Sequence, residues 1–227
     1  MIENLANWIE VLFGLTVLLT LWLYWLANPG SGRLIGWTVL LAVIHSTAAY
    51  LGFYSNFEAI PPRFLWIIIP STLIVLYGLL PSVRKKVMEN RDLYLSPFLH
   101  IIRVPVEIVL LYLFYYGAVP ELMTFEGRNF DVLAGITAPI MGALYVRNKV
   151  SNMAMIAWNI TCLGLVSFIL TNGILSAPLP FQQFAFDEPN VGVTYFPFVL
   201  LPAIIVPMVM YTHIIDLLIL IKKIKEK

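Results

Sequence analysis

The sequence predicts an all-α polytopic membrane protein, a bundle of seven transmembrane helices with several of them kinked by proline. Three observations carry this. Apolar residues make up 60% of the 227-residue chain and charged residues only 12%, about half the charged share of a typical soluble domain. The apolar residues run in continuous stretches close to the roughly 20 helical positions that cross a bilayer. These stretches do not alternate at period two, which excludes a porin-like barrel.

The spans fall at about 8–27, 34–55, 64–80, 96–119, 130–146, 153–175 and 194–221. The third and fifth are short, so six is the competing count. No intervening stretch is long enough for a soluble domain, and residues 1–227 read as a single transmembrane domain. The first 25 residues carry Glu3 and Glu10 but no Lys or Arg, so the first run reads as a retained span and not as a cleaved leader.

Basic residues choose the orientation. One side of the seven-span scheme receives Arg33, Arg84, Lys85, Lys86, Arg91, Arg147, Lys149, Lys222, Lys223, Lys225 and Lys227, and the other only Arg63 and Arg128. The positive-inside rule makes the first side cytoplasmic, with the amino terminus outside and the plasma membrane as the expected location. The basic tail from Lys222 is short, which suits contact with anionic lipid and gives too small a footprint for nucleic acid. The longest linker, 176–193, holds Phe181, Phe184, Phe186 and three prolines. It is too apolar for a free loop and is expected to fold back on the outer rim.

Pro70, Pro105 and Pro139 lie inside the third, fourth and fifth spans, and Pro197, Pro202 and Pro207 recur in the seventh. Each lacks an amide donor, so kinks that shape the bundle are the first reading; the alternative, strongest for the seventh span, is a broken helix whose freed carbonyls face a solute. Ala134, Ala138 and Gly142 form a small-residue stripe on the fifth span that suits close helix packing. Nothing in the sequence supports a homo-oligomer beyond that stripe.

Ionisable residues inside spans are costly and face a partner or a cavity. This chain places His45 in the second span, His100, Arg103 and Glu107 in the fourth, Asn159 in the sixth, and His213 and Asp216 in the seventh. The spacing of His100, Arg103 and Glu107 puts all three within about 60° on one helix face. Counted from the span ends at 1.5 Å per residue, His100, Arg103, Asn159, His213 and Asp216 occupy overlapping layers of the cytoplasmic half, with Glu107 and His45 deeper. Asp216 lies at the depth a snorkelling Arg103 would reach, and is its expected cross-helix partner.

Three functions compete for this nest. In the first, His100, Arg103, Glu107, Asn159, His213 and Asp216 bind or transport a small polar or anionic solute, with carboxylates or histidines exchanging protons. In the second, the protein is a structural or accessory subunit whose buried charges only fix helix packing. In the third, His45, His100 and His213 hold zinc for an intramembrane hydrolase. No two of these histidines stand three or four residues apart and no HExxH pattern is present, so the zinc signal is weak and no cofactor is predicted. Cys162 is the only cysteine, which excludes an intrachain disulfide and a thiolate cluster. The spans hold no interior lysine for a retinal Schiff base, and no phosphate-binding glycine loop is present.

Overall fold

The computed structural model describes residue 2 and residues 4–226. These form eight α-helices: α1 (Asn7–Ala27), α2 (Gly32–Tyr50), α3 (Leu65–Leu79), α4 (Pro81–Asn90), α5 (Arg103–Tyr115), α6 (Val132–Val146), α7 (Asn152–Leu175) and α8 (Val206–Lys225). A 3-10 stretch, Ser96–Ile102, leads into α5, and a π-helical turn, Leu201–Ile205, leads into α8.

Five segments are long and apolar enough to cross a membrane alone: Asn7–Ala27, Gly32–Tyr50, Ser96–Tyr115, Asn152–Leu175 and Leu201–Lys225. Each is largely apolar on the face that it turns outward. On α1, Ile9, Phe13, Val17 and Tyr24 are buried at helical spacing, while Val11, Leu15, Leu18 and Trp22 are exposed. A helix facing water would carry charge on that outer side, so the pattern fits a lipid solvent. α8 and α7 form the most extensive helix pair, and α8 supplies the centre of the core through Val209, Tyr211, His213, Ile215 and Leu220.

Two segments need a separate account. α3 ends at Leu80 and the chain turns 74° into α4. Pro81 disfavours the α conformation at the residue before it, and Leu80 accordingly takes φ −56°, ψ 138°. Pro81 then occupies the first turn of α4, where its missing amide costs nothing. The charged run 81–90, expected to be a loop, is therefore a short basic helix lying across the end of the bundle. α6 has only 15 residues and rises about 22 Å, less than the hydrocarbon thickness of about 30 Å. The segment before it folds inward: Met123, Thr124, Asn129 and Asp131 are all buried.

The proline-bearing spans depart from α-geometry where donors are missing. Pro105 removes the amide that an α-turn would direct to Ile101, and the chain is 3-10 up to Ile102. In the last span Val206 N–H reaches Leu201 O, five residues back, between Pro202 and Pro207. That span begins as helix at Leu201 and not at 194, since the chain before it turns to pack on the bundle. The 176–193 linker does fold back: Asn190 N–H donates to Ser176 O, and the amides of Val191 and Gly192 donate to Ala118 O. Phe184 takes the Arg128 guanidinium over its ring at 5.6 Å, while Phe181 and Phe186 are exposed.

Contacts sort the chain ends into two groups. At one end Asp92 N–H donates to Ala27 O, the Tyr94 and Tyr145 rings meet at 5.4 Å, and α4 packs beside the last turns of α8. At the other end Trp8 meets Tyr112 at 4.7 Å and Tyr50 meets Phe196 at 6.4 Å.

The small-residue stripe of α6 packs inside the molecule against the 3-10 stretch. A Cβ on Gly142 would lie 2.8 Å from the Phe98 ring, and one on Gly135 would lie 2.9 Å from Val104 Cγ2 and 3.0 Å from its backbone nitrogen. Gly164, on α7, has nothing within 4 Å of its Cβ position. Gly135→Ala should therefore destabilise by about 1–3 kcal/mol through overpacking, while Gly164→Ala should be neutral or stabilise by up to about 1 kcal/mol. Unfolding of both variants in mixed micelles checks the contrast, and equal effects would contradict this packing.

Candidate functional site

The buried polar side chains divide into two clusters. The first is a lock at the α4 end of the bundle. Arg91 Nε donates to Asp216 Oδ1 at 2.8 Å, Arg91 also donates to the Ser96 hydroxyl, and Ser96 donates to the second Asp216 oxygen. Both charged side chains are almost wholly buried. The three groups close a ring in which each Asp216 oxygen has a donor, while Arg91 Nη1 is buried without a partner among the described residues. That closure is what a buried pair needs to offset its desolvation.

The second cluster lies deeper and centres on Arg103. Its Nη1 donates to Asp131 Oδ1 at 2.6 Å and reaches Cys162 O at 3.4 Å, and its Nη2 stands 2.8 Å from His213 Nε2. The His213 tautomer follows from its neighbours. Asn159 Nδ2 donates to Met155 O, which fixes the amide and turns its oxygen toward His213 Nδ1 at 2.7 Å. Nδ1 must then carry the proton, leaving Nε2 to accept from Arg103. His100 stacks face to face on His213 with centroids 3.9 Å apart, and Trp158 sets its edge against both rings. Neither nitrogen of His100 has a hydrogen-bond partner among the described residues.

The Arg103–Asp216 pairing expected from depth is not formed. Asp216 is taken by Arg91 and Ser96, and Arg103 by Asp131 and His213. The physical reason lies in the two short elements. Arg91 follows α4 and enters the bundle instead of staying in a loop, and Asp131 is carried inward by the segment preceding α6. The span scheme read from sequence puts Arg91 in the loop between the third and fourth spans and Asp131 at the outer end of the fifth.

Of the expected nest, the structure joins His100, Arg103, Asn159 and His213 in one chain of contacts and places Asp216 in the separate lock. Glu107 accepts at Oε1 from Asn129 Nδ2, which also donates to Met123 O, while Oε2 has no partner. His45 lies elsewhere, with Nδ1 at 2.7 Å from the Tyr54 hydroxyl. The three-histidine zinc reading is corrected on this geometry. Two histidines stacked at 4° present their nitrogens in parallel planes and do not converge on an ion. Among the described residues, no group of three or more His, Cys, Asp or Glu could hold a metal ion.

Beside the Arg103 cluster is a cavity of about 60 Å³. Its polar lining is Glu107, Asn129, Asp131 and Asn190, and its apolar wall includes Leu201, Pro202 and Val206 of the π-helical turn and the start of α8. Asn190 Nδ2 donates to Gly173 O at 3.1 Å, leaving its Oδ1 without a partner. The unpartnered atoms of these lining residues, Asn190 Oδ1 and, with its carboxyl ionised, Glu107 Oε2, are acceptors. A buried acceptor without a donor costs about 1–3 kcal/mol, so the cavity has chemistry to offer a donor-bearing molecule. A second cavity of about 30 Å³ lies between α1, α2, α3 and α8; its Thr38 and Ser71 hydroxyls donate to carbonyls of their own helices, and the Tyr24 hydroxyl on its wall has no partner among the described residues.

Asp131, Asn129, Asn190, Arg91 and Ser96 do not stand out as site residues in the sequence. The shortness of the fifth span was the available signal for Asn129 and Asp131. A helix too short to reach the surface must begin inside, and the polar run before it goes inside with it. Arg91 gave none, because a base after a basic helix reads as one more surface charge.

No curated protein and no solved structure matches the chain. A family model described as a domain of unknown function (DUF8737) matches residues 61–221, which take in both buried clusters and the cavity, and the chain belongs to that family.

Proposed function

We propose that the protein is a seven-span membrane protein with one transmembrane domain, which binds a small polar solute in the Glu107 cavity as part of carrying it across the bilayer. The seven crossings are α1, α2, α3, the Ser96–Tyr115 segment, α6, α7 and the Leu201–Lys225 segment. The orientation with the amino terminus outside is supported by the clustering of Arg33, α4, Arg147, Lys149 and the end of α8 at one end of the bundle. Reporter fusions after Gly30, Glu89 and Lys149, and at the carboxyl terminus, should all report cytoplasm. A signal from the opposite side at any of them would overturn the orientation.

The observation that carries the binding reading is the pair of free buried acceptors lining one cavity. Their chemistry favours a solute with a hydrogen-bond donor, such as a small primary amine or alcohol. It disfavours an anion, because Arg103 already has Asp131, and Glu107 and Asp131 both line the space. About 60 Å³ holds several waters or a solute of a few heavy atoms. The π-helical turn and Pro202 in the wall give the site a segment whose backbone is not locked into α-geometry, which suits opening and closing.

The structural reading remains for the Arg91–Ser96–Asp216 ring, whose closed hydrogen bonding fits a packing lock. It gives no role to the cavity that Glu107 Oε2 and Asn190 Oδ1 line. Thermal unfolding of the detergent-purified protein separates the two. Small amines or alcohols should raise the midpoint of the parent and leave Glu107→Gln unmoved, with about 2.7 kcal/mol of stabilisation at a hundredfold excess over Kd. No stabilisation by any donor-bearing solute, or stabilisation by carboxylates of the same size, would overturn the reading.

A further inference from the structure

We infer that α4 and the last turns of α8 form a site for the phosphate of an anionic phospholipid, independent of the interior cavity. The two helices line a groove of about 530 Å³. α4 contributes Pro81, Arg84, Lys85, Met88 and Glu89, and α8 contributes Ile219, Lys222, Lys223 and Glu226. Each set follows i, i+3, i+4, i+7 spacing, so one face of each helix is turned into the groove.

The charges in the groove are not equivalent. Lys85 pairs with Glu89 at 3.9 Å and Lys222 with Glu226 at 3.6 Å, each within its own helix and largely exposed. Arg84 and Lys223 enter no ion pair among the described residues. Four cations against two carboxylates leave the groove positive, and the unmatched pair comes from opposite walls.

The position of the groove names the source of the anion. α4 departs from α3 at 74°, the angle of a helix that leaves a span to lie along the interface. Ile219 belongs to the apolar part of α8, one turn before Lys222 and Lys223, while Pro81 and Met88 add apolar surface on the α4 side. A phosphodiester at this level meets Arg84 and Lys223 while its acyl chains run past Pro81, Met88 and Ile219. A soluble phosphate would use the cations but not the apolar lining, so the lipid fits the whole surface. Juxtamembrane bases attract anionic headgroups from the bilayer surface, and here two helices present them on the walls of one groove.

The test is native mass spectrometry of the purified protein with phosphatidylglycerol, with phosphatidylcholine, and with inorganic phosphate. Phosphatidylglycerol should be retained over phosphatidylcholine, and Arg84→Gln with Lys223→Gln should weaken its retention about tenfold or more. Lys149→Gln, at the same end but outside the groove, should change nothing. Glu89→Gln with Glu226→Gln should strengthen retention, which keeps the proposal testable if the first pair fails to fold. Equal retention of the two lipids, unchanged retention in the Arg84/Lys223 variant, or displacement of the lipid by inorganic phosphate would each overturn it.

Discussion

Replacing Asp131 with alanine should cost about 3–5 kcal/mol, the largest single loss expected in this protein, because it leaves the Arg103 guanidinium buried without a counter-charge. Arg103 would retain His213 Nε2 and a carbonyl at 3.4 Å, neither of which neutralises it. Removing the whole pair, as Arg103→Met with Asp131→Leu, should recover most of that loss. Recovery should remain incomplete, because His213 Nε2 then loses its donor, a penalty of about 1–3 kcal/mol. Reversible unfolding in mixed micelles gives all three values. An Asp131→Ala protein within about 0.5 kcal/mol of the parent, the range of an ordinary surface change, would contradict the assignment of Asp131 as the Arg103 counter-ion.

The second large effect is expected at the lock. Asp216→Ala strands Arg91 with Ser96 as its remaining partner and should cost a similar 3–5 kcal/mol or so. Charge exchange then reads out the pairing directly. Arg91→Asp with Asp216→Arg should recover part of the loss, since both positions keep a partner of opposite sign. Arg103→Asp with Asp216→Arg should recover none, because it places like charges together at both clusters: the introduced carboxylate falls beside Asp131 and the introduced guanidinium beside Arg91. Rescue by the second exchange and not the first would mean that the chain pairs its charges by depth along the spans, as the sequence alone suggests.

That difference marks where sequence reasoning reaches and where it stops. The long helices were readable because lipid imposes one demand on every residue of a span, and an apolar run of about 20 satisfies it. The spacing of His100 and Arg103 on one turn was readable for the same local reason. Which helices touch was not. His213 meets Arg103 and Asn159 because α8 runs through the middle of the bundle beside α7, and no residue of α8 states that by itself. The errors at Arg91 and Asp131 share a cause: both residues flank spans, and the depth scale treats every span end as a surface. α4 was hidden by its charges, although Pro81 at its first turn and Met88 seven positions on were signs of a helix with one apolar edge.

The cavity was legible only in part. Glu107 stood out as a carboxylate near mid-membrane, but its partner Asn129 and the facing Asn190 come from segments that reach the interior by folding back from the bundle end. Such segments carry few periodic cues. Their backbone bonds, including those from Val191 and Gly192 to Ala118 O, exist only once the helices are assembled.

The most direct test of the central claim is infrared difference spectroscopy of the Glu107 carboxyl on addition of a small amine or alcohol that stabilises the protein. The Glu107 band, identified by its loss in Glu107→Gln, should shift when the solute donates to the free Oε2, while the band of Asp216, which lies outside the cavity, stays in place. A solute that binds and stabilises the protein without moving the Glu107 band would contradict the claim that this carboxylate receives it.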